Sequence, residues 1–103
     1  MTSPVISADR DARKARLVLG GDLDMAARFQ AEQALDDLLA TPLEQLVVDL
    51  GEVTFVDSTG MGLVLEVNDR ARAEGFKLRL LRGPEEVQRV FELAGVADVL
   101  PFA

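Results

Sequence analysis

The stretch "VTFVDSTGMGLVLEV", residues 53–67, contains an apolar strand pattern and an apolar helix pattern separated by a polar break. The break consists of Asp57, Ser58, Thr59 and Gly60, and a second glycine follows at Gly62. A strand that passes directly into a helix is typical of α/β proteins, in which helices cross over between the strands of a sheet. The stretch therefore predicts an α/β fold, with the polar break at the end of a strand and the start of a helix.

The composition is that of one globular domain. With 103 residues, the chain can form one modest core, so we expect a single domain over residues 1–103. A net charge of −7 disfavours a nucleic-acid surface, because phosphates would be repelled. No apolar run approaches the roughly 20 residues that span a bilayer, and residues 1–16 lack the apolar stretch of a secretory signal. We therefore expect a cytoplasmic protein that does not insert into a membrane.

Several residue types are missing from the sequence, and their absence limits its chemistry. There is no cysteine, and hence no disulfide and no thiolate metal site. There is no histidine, which excludes a self-contained Ser-His-Asp triad and the usual zinc sites. Five phenylalanines are the only aromatic residues, too few for a platform that stacks nucleic-acid bases. We therefore expect no catalytic residue, no metal site and no cofactor.

The N-terminal half predicts a β-hairpin followed by a helix. Strands are expected around Val5 and Ile6 and over residues 15–19, joined by a polar turn at Asp9, Arg10 and Asp11, with Gly20 and Gly21 ending the second strand. A helix is expected over residues 25–40, capped by Asp24 and stopped by Thr41 and Pro42. Its apolar face consists of Ala27, Ala31, Ala34, Leu35 and Leu38.

The C-terminal half predicts alternating strands and helices. The apolar run over residues 45–50 predicts a strand covered on both faces. A helix is expected from about residue 59 to residue 74, closed by Gly75, then a strand over 76–81. A third helix should begin with Pro84 at its first position and end at Gly95, before a short edge strand. Its buried stripe is Val87, Val90, Phe91 and Ala94. The fold class is therefore α/β, with a mixed sheet (an N-terminal antiparallel hairpin, then parallel strands) packed with amphipathic helices.

Ser58 can be interpreted in two ways at the start of the second helix. In the first, Ser58 is only the helix N-cap, and Gly60 and Gly62 let the helix lie close to the sheet. In the second, its hydroxyl is held out for chemistry, because phosphates and ligands collect where strand ends meet helix N-termini. A phosphoryl group on Ser58 would meet free backbone amides and the positive end of the helix dipole. The spacing alone leaves both interpretations open.

Three motifs, in register, resemble the STAS-domain anti-sigma factor antagonists of bacteria. They are "GDLD", "LVVDLGEVTFVDSTGMGLVLE" and "LRLLRGPEEVQRVFELAG". The resemblance runs from about residue 17 to residue 102, and its core is Asp-Ser-[Ser/Thr]-Gly-[apolar]-Gly after a "VVDL" strand. It departs from the family's pattern at Asp22, where glutamate is common. It also departs at Ala103, where many members continue into a further helix, and this leaves the oligomeric state open.

The resemblance implies a phosphorylation-switched regulator that is not an enzyme. The serine directly after the aspartate is the family's phosphoacceptor, here Ser58, with Thr59 as the alternative. Unphosphorylated members bind an ATP-dependent anti-sigma factor serine/threonine kinase and release its sigma factor. Phosphorylation abolishes this binding, and a serine phosphatase restores it. The residues expected to bind the partner are Asp22, Asp24, Asp57, Ser58, Thr59, Gly60, Met61 and Leu65.

The second helix has two distinguishable faces. Its sheet-facing side consists of Leu63, Val64, Val67 and Ala71, and another face carries Met61, Leu65, Asn68 and Arg72. Met61 is either an exposed, adaptable contact beside Ser58 or part of the core, and the spacing allows both.

Two other functions compete with the antagonist interpretation. A STAS protein can also be a partner of a lipid or anion transporter, or a scaffold subunit of a stress-signalling complex. Such proteins often blur the Asp-Ser-[Ser/Thr]-Gly core, so the intact "DSTG" favours the switch. An enzyme with Ser58 as nucleophile would need a base from outside the chain, since there is no histidine and Asp57 is directly adjacent.

Overall fold

The computed structural model describes residues 5–103 as a four-stranded sheet with three helices. The elements are β1 (Val5–Asp11), β2 (Lys14–Leu23), α1 (Met25–Leu38), β3 (Gln45–Val56), α2 (Ser58–Glu74), β4 (Lys77–Leu81) and α3 (Glu85–Leu93). The strand order is β1-β2-β3-β4, with β1 antiparallel to β2 and the other pairs parallel. The predicted α/β class, leading hairpin and mixed sheet are confirmed.

The sheet has one buried face. Leu17, Val48 and Leu80 are paired across β2, β3 and β4 and are at most 1% exposed. On the opposite face, Val47 lies between Arg16 and Arg79 and remains partly exposed. The prediction that residues 45–50 are covered on both faces is therefore wrong. Side chains alternate across a strand, and here only one side meets the helices.

The helices pack on the buried face. α1 lies over β1 and β2, α2 contacts β2, β3 and β4, and α3 packs on β3. Phe91 of α3 is fully buried, and its ring meets Phe102 edge to face at 5.4 Å between centroids. No helix within residues 5–103 has the length and apolar character needed to cross a membrane.

The hairpin turn lies later in the chain than predicted. Asp9, Arg10 and Asp11 belong to β1, and the turn is at Ala12 and Arg13, with Ala12 at a φ of 55°. The Arg10 guanidinium donates hydrogen bonds to the carbonyl oxygens of Leu38, Thr41 and Pro42, at 2.6, 3.1 and 2.6 Å. These carbonyl oxygens, at and just beyond the end of α1, bind the Arg10 guanidinium, while the Arg10 backbone pairs with Ala15 of β2.

The second strand continues through its glycines instead of ending there. Its pairing with β3 shifts between Val18 and Gly20 and again between Gly21 and Asp22. Gly21 has a φ of 74°, a backbone conformation that glycine adopts without the penalty of a side chain. The prediction that Gly20 and Gly21 terminate the strand is therefore wrong. The irregular ladder extends to Leu23, which lies opposite Val56 at the end of β3.

The helix ends mostly follow the sequence signals. Asp24 caps α1 and Gly75 closes α2 with a φ of 82°, as predicted. α1 ends at Leu38, two residues before the predicted end, and α2 begins at Ser58.

The last helix and the C-terminal segment differ more from prediction. Pro84, predicted as the first residue of α3, is instead its N-cap, and the helix begins one residue later at Glu85. Val87 and Phe91 are buried, but Ala94 is an exposed C-cap, and Gln88 is buried in its place. The expected last edge strand is reduced to a single bridge between Leu80 and Phe102.

Candidate functional site

The carboxyl ends of β2 and β3 bring two helix N-termini together. Leu23 and Val56 are neighbours in the sheet, and each strand passes into a helix after one intervening residue, Asp24 or Asp57. The starts of α1 and α2 therefore lie side by side at the same edge of the sheet. In open α/β sheets, ligands usually bind outside the carboxyl ends of the strands.

The two aspartates have the same local role. The Asp24 carboxylate accepts a hydrogen bond from the Ala27 amide at 3.1 Å, and the Asp57 carboxylate accepts one from the Gly60 amide at 2.9 Å. Each thereby satisfies an amide of a first helical turn that has no partner within the helix. The α2 cap is Asp57, so the interpretation of Ser58 as the N-cap is wrong. Ser58 is instead the first residue of α2, and it is exposed to solvent.

Gly60 permits the close approach of the two segments. A methyl group on Gly60 would overlap the carbonyl oxygen of Leu23 and come within 2.8 Å of its carbonyl carbon. Real side chains essentially never approach so closely. The buried Gly60 is therefore the point at which the start of α2 rests on the end of β2.

Arg28 of α1 joins α1 to the start of α2. Its guanidinium donates hydrogen bonds to the Thr59 carbonyl oxygen at 3.3 Å and to the Glu66 carboxylate at 2.8 Å. It also lies 3.6 Å from the Glu32 carboxylate. A methyl group on Gly62 would come within 2.8 Å of the same guanidinium. Arg28 therefore occupies the space that a side chain at position 62 would fill.

Glu32, one of the two carboxylates around Arg28, has a raised pKa. Partial burial raises the pKa of Glu32 above its ordinary value of 4.5, and the nearby Glu66 carboxylate raises it further. The Arg28 guanidinium acts in the opposite direction but does not fully compensate. Ionised Glu32 is therefore less favourable in the folded protein than in the unfolded chain.

Replacing Glu32 with glutamine should stabilise the protein increasingly as pH rises. Because the folded-state pKa of Glu32 is raised, ionisation of Glu32 lowers the free energy of unfolding of the parent. This loss begins as pH rises above 4.5 and is complete once pH exceeds the raised pKa. We expect nearly equal melting temperatures near pH 4. At pH 7 the variant should melt about 1–3 °C higher, the size of effect that a surface charge gives. Thermal melts over this pH range measure it, with Glu92→Gln on α3 as control. A difference that shrinks toward pH 7 would contradict the prediction.

The residues predicted to bind a partner fall into two groups. Asp24, Asp57, Ser58, Thr59 and Gly60 all lie at the paired helix starts. Asp22 lies beside them in the sheet, opposite Phe55, and accepts a hydrogen bond from the Thr54 hydroxyl at 3.3 Å. Met61 and Leu65 are partly buried and pack against the edge of the core, so Met61 is neither fully exposed nor a core residue.

Three exposed apolar side chains near this edge are missing from the predicted set. Met25 is 73% exposed, Phe29 63% and Phe55 52%. Met25 and Phe29 are four residues apart and share one side of α1, away from the buried stripe. The signal was present in the sequence, because both are large apolar residues outside the predicted apolar face.

Comparison with known proteins places these features in a family. Residues 6–101 match the family model described as "Mlab, STAS domain". The anti-sigma-B factor antagonist of Staphylococcus aureus (strain NCTC 8325 / PS 47) is 27% identical over 82 residues, which cover 80% of this chain and 76% of that protein.

Two solved structures have the same fold. The anti-sigma factor antagonist SpoIIAA in its unphosphorylated form superposes with a TM-score of 0.79 at 23% identity, covering 96% of this chain and 88% of that one. The Bacillus cell fate determinant SpoIIAA in the phosphorylated form gives a TM-score of 0.69 at 22% identity, covering 96% and 91%.

Proposed function

The chain belongs to the STAS domain family, and on that basis we propose that it is an anti-sigma factor antagonist switched by phosphorylation of Ser58. In its unphosphorylated form it binds an ATP-dependent anti-sigma factor serine/threonine kinase in the cytoplasm, and the kinase releases its sigma factor. Phosphorylation of Ser58 ends this binding, and a serine phosphatase restores it. The protein is a substrate and a ligand in this scheme, not an enzyme.

The observation that carries the proposal is that Asp57 caps the helix and leaves the Ser58 hydroxyl free of that role. Asp57 caps α2, so the Ser58 hydroxyl is not needed to complete the helix. Ser58 is exposed at the first helical position, where a kinase can reach it. An acceptor hydroxyl needs little else, because the kinase supplies the nucleotide, the magnesium ions and the catalytic base. The antagonist SpoIIAA has itself been solved in a phosphorylated form, which supports the same chemistry here.

The neighbouring surface fits a protein partner. Exposed Met25 and Phe29 offer apolar contacts on α1, beside the carboxylates of Asp22, Asp24 and Asp57. Large apolar side chains next to a rim of charge are typical of binding sites for proteins. The partner surface should therefore combine an apolar depression with basic residues, since these complement the carboxylates.

An enzymatic role for Ser58 has less support. Nucleophilic catalysis needs a base within hydrogen-bond reach of the hydroxyl. Asp57 is the nearest carboxylate in sequence, and it is already hydrogen-bonded to the Gly60 amide.

Incubation with ATP and the candidate anti-sigma factor kinases of the source organism tests the proposal. We expect one phosphate per chain, located by mass spectrometry at Ser58 and absent from Ser58→Ala. Thr59→Ala is the matched control and should still be phosphorylated. Phosphate on Ser58→Ala would make Thr59 the acceptor. No phosphate and no kinase binding would instead favour a STAS partner of a transporter or a scaffold subunit of a stress-signalling complex.

A further inference from the structure

Arg28 lies between the surface of α1 and the first turn of α2 (residues 58–61, the acceptor turn). We propose that Arg28 is a positioning residue that holds the acceptor turn in the orientation the kinase recognises. This inference rests on the proposed function, and it assigns a role to a residue outside the Asp-Ser-Thr-Gly motif.

The hydrogen bonds of Arg28 go to two points on α2 that are about two helical turns apart. One goes to the backbone of Thr59, directly after the acceptor, and the other to Glu66, two turns from Ser58. A guanidinium can serve both because its donors form a planar fork. The contact with the Thr59 carbonyl fixes backbone rather than a mobile side chain, so it constrains the position of Ser58 itself.

The bare surface of Gly62 lets the guanidinium approach Ser58. Residues 58 and 62 are four apart on α2, so their β-carbon positions lie about 6 Å apart on one side of the helix. One guanidinium nitrogen lies 2.8 Å from where a β-carbon at position 62 would be. Arg28 therefore fills the space between the two helices beside Thr59 and Gly62, within one turn of the acceptor.

This arrangement links the acceptor to the exposed apolar residues of α1. Met25 and Phe29 lie three residues before and one residue after Arg28, on adjoining sides of the same helix. Holding α2 against Arg28 fixes Ser58 relative to both. A partner that contacts all three then binds a preformed surface and avoids the free-energy cost of ordering it. Loss of Arg28 should therefore weaken recognition while leaving the phosphoryl transfer step intact.

Arg70 provides a matched control within the same chain. It also joins the two helices, through Asp36 of α1 at 2.7 Å, and it contacts Glu74 of α2 at 3.1 Å. The number and type of its ion pairs resemble those of Arg28. It lies twelve residues after Ser58, however, about 18 Å along the helix.

Hydrogen exchange on the free protein tests the structural half of the proposal. We expect the Gly60 and Met61 amides of Arg28→Ala, the two acceptor-turn amides that are hydrogen-bonded to Asp57, to exchange roughly three- to fivefold faster than those of the parent, the range of a partly exposed ion pair. In Arg70→Ala these amides should exchange at the parent rate, and both variants should melt within a few degrees of the parent. Equal exchange in the two variants would overturn the proposal.

Steady-state phosphorylation tests the functional half. Arg28→Ala should raise KM for the kinase about tenfold with kcat within about twofold, and Arg70→Ala should leave both within about twofold. Arg28→Lys should not restore KM, because a single ammonium lacks the fork that reaches both acceptors. Full rescue by lysine, or a fall in kcat alone, would overturn the proposal. A parent that no kinase phosphorylates would refute the proposed function, and the exchange comparison would still decide whether Arg28 holds the turn.

Discussion

Ser58→Asp should bind the anti-sigma factor kinase at least about a hundredfold more weakly than the parent, a loss of roughly 2.8 kcal/mol. An interface that accommodates a neutral hydroxyl must now desolvate a carboxylate, and a like charge in the interface costs several kcal/mol. Real phosphorylation adds roughly −1.5 to −2 charges and should have a larger effect. Titration calorimetry of the unphosphorylated parent and of Ser58→Asp against the kinase measures the loss directly.

The same variant should melt within a few degrees of the parent. A carboxylate in the first turn of α2 is favoured by the helix dipole, whereas the adjacent Asp57 and the nearby Asp24 oppose it. Surface substitutions usually change stability by about 0.5 kcal/mol or less. Ala73→Glu, which adds one negative charge on an exposed side of α2 fifteen residues after Ser58, is the control and should bind normally. Lost binding together with a collapsed melt would mean that the switch acts by unfolding, and unchanged binding would remove Ser58 from the interface.

Gly60→Ala should be the most destabilising single methyl group that can be added near the site. The new methyl would collide with the backbone carbonyl of Leu23, which cannot rotate away as a side chain could. Overpacking of this kind costs about 3 kcal/mol or more when backbone must move. For a domain of this size, the melting temperature should fall by roughly 12 °C or more. Kinase binding should fall too, because α2 can no longer begin against β2.

Gly62→Ala is the matched control, with the same change two residues along the same helix. There the methyl meets only the far end of the Arg28 side chain, which can shift without any movement of backbone. In a helix interior, alanine is also more favourable than glycine by about 1 kcal/mol. We expect a melting temperature at or within a few degrees of the parent. A similar fall in melting temperature in Gly60→Ala and Gly62→Ala would mean that the contact with Leu23 does not determine the requirement for glycine at position 60.

Most of the fold could be predicted because its signals are local. Asp24 and Gly75 mark helix ends through their own backbone chemistry, and both were assigned correctly. The alternation of strand and helix patterns was enough to give the mixed sheet. These features depend on residues within a turn or two of each other, which is the range that a sequence pattern covers.

The errors occur where a distant partner changes a local preference. Arg10 was assigned to a turn because it is charged, yet its guanidinium finds carbonyl oxygens at the end of α1, about thirty residues away. The glycine pair at positions 20 and 21 predicts the end of a strand, but pairing with β3 carries the strand through both residues. In both cases tertiary contacts outweigh the propensity of the residue.

The candidate site was predicted only in part, for the same reason. The motif located Ser58 correctly at a helix start, but which neighbour caps that helix depends on rotamers that the sequence does not specify. Arg28 lies outside the predicted apolar face of α1, and the sequence pattern predicts no role for it. Its bonds to Thr59 and Glu66 depend on how two helices pack, and no spacing within either helix reveals them.

The pairing of Leu23 with Val56 has a consequence for newly synthesised chains. The two residues are roughly thirty positions apart, with all of α1 between them, and such non-local pairs form late in folding. A nascent or misfolded chain therefore carries the serine without the paired helix starts around it. A kinase that reads the assembled surface would pass over such chains. Phosphorylation would then be restricted to correctly folded molecules. Misfolded chains would be excluded from the switch by the folding requirement alone, without a chaperone.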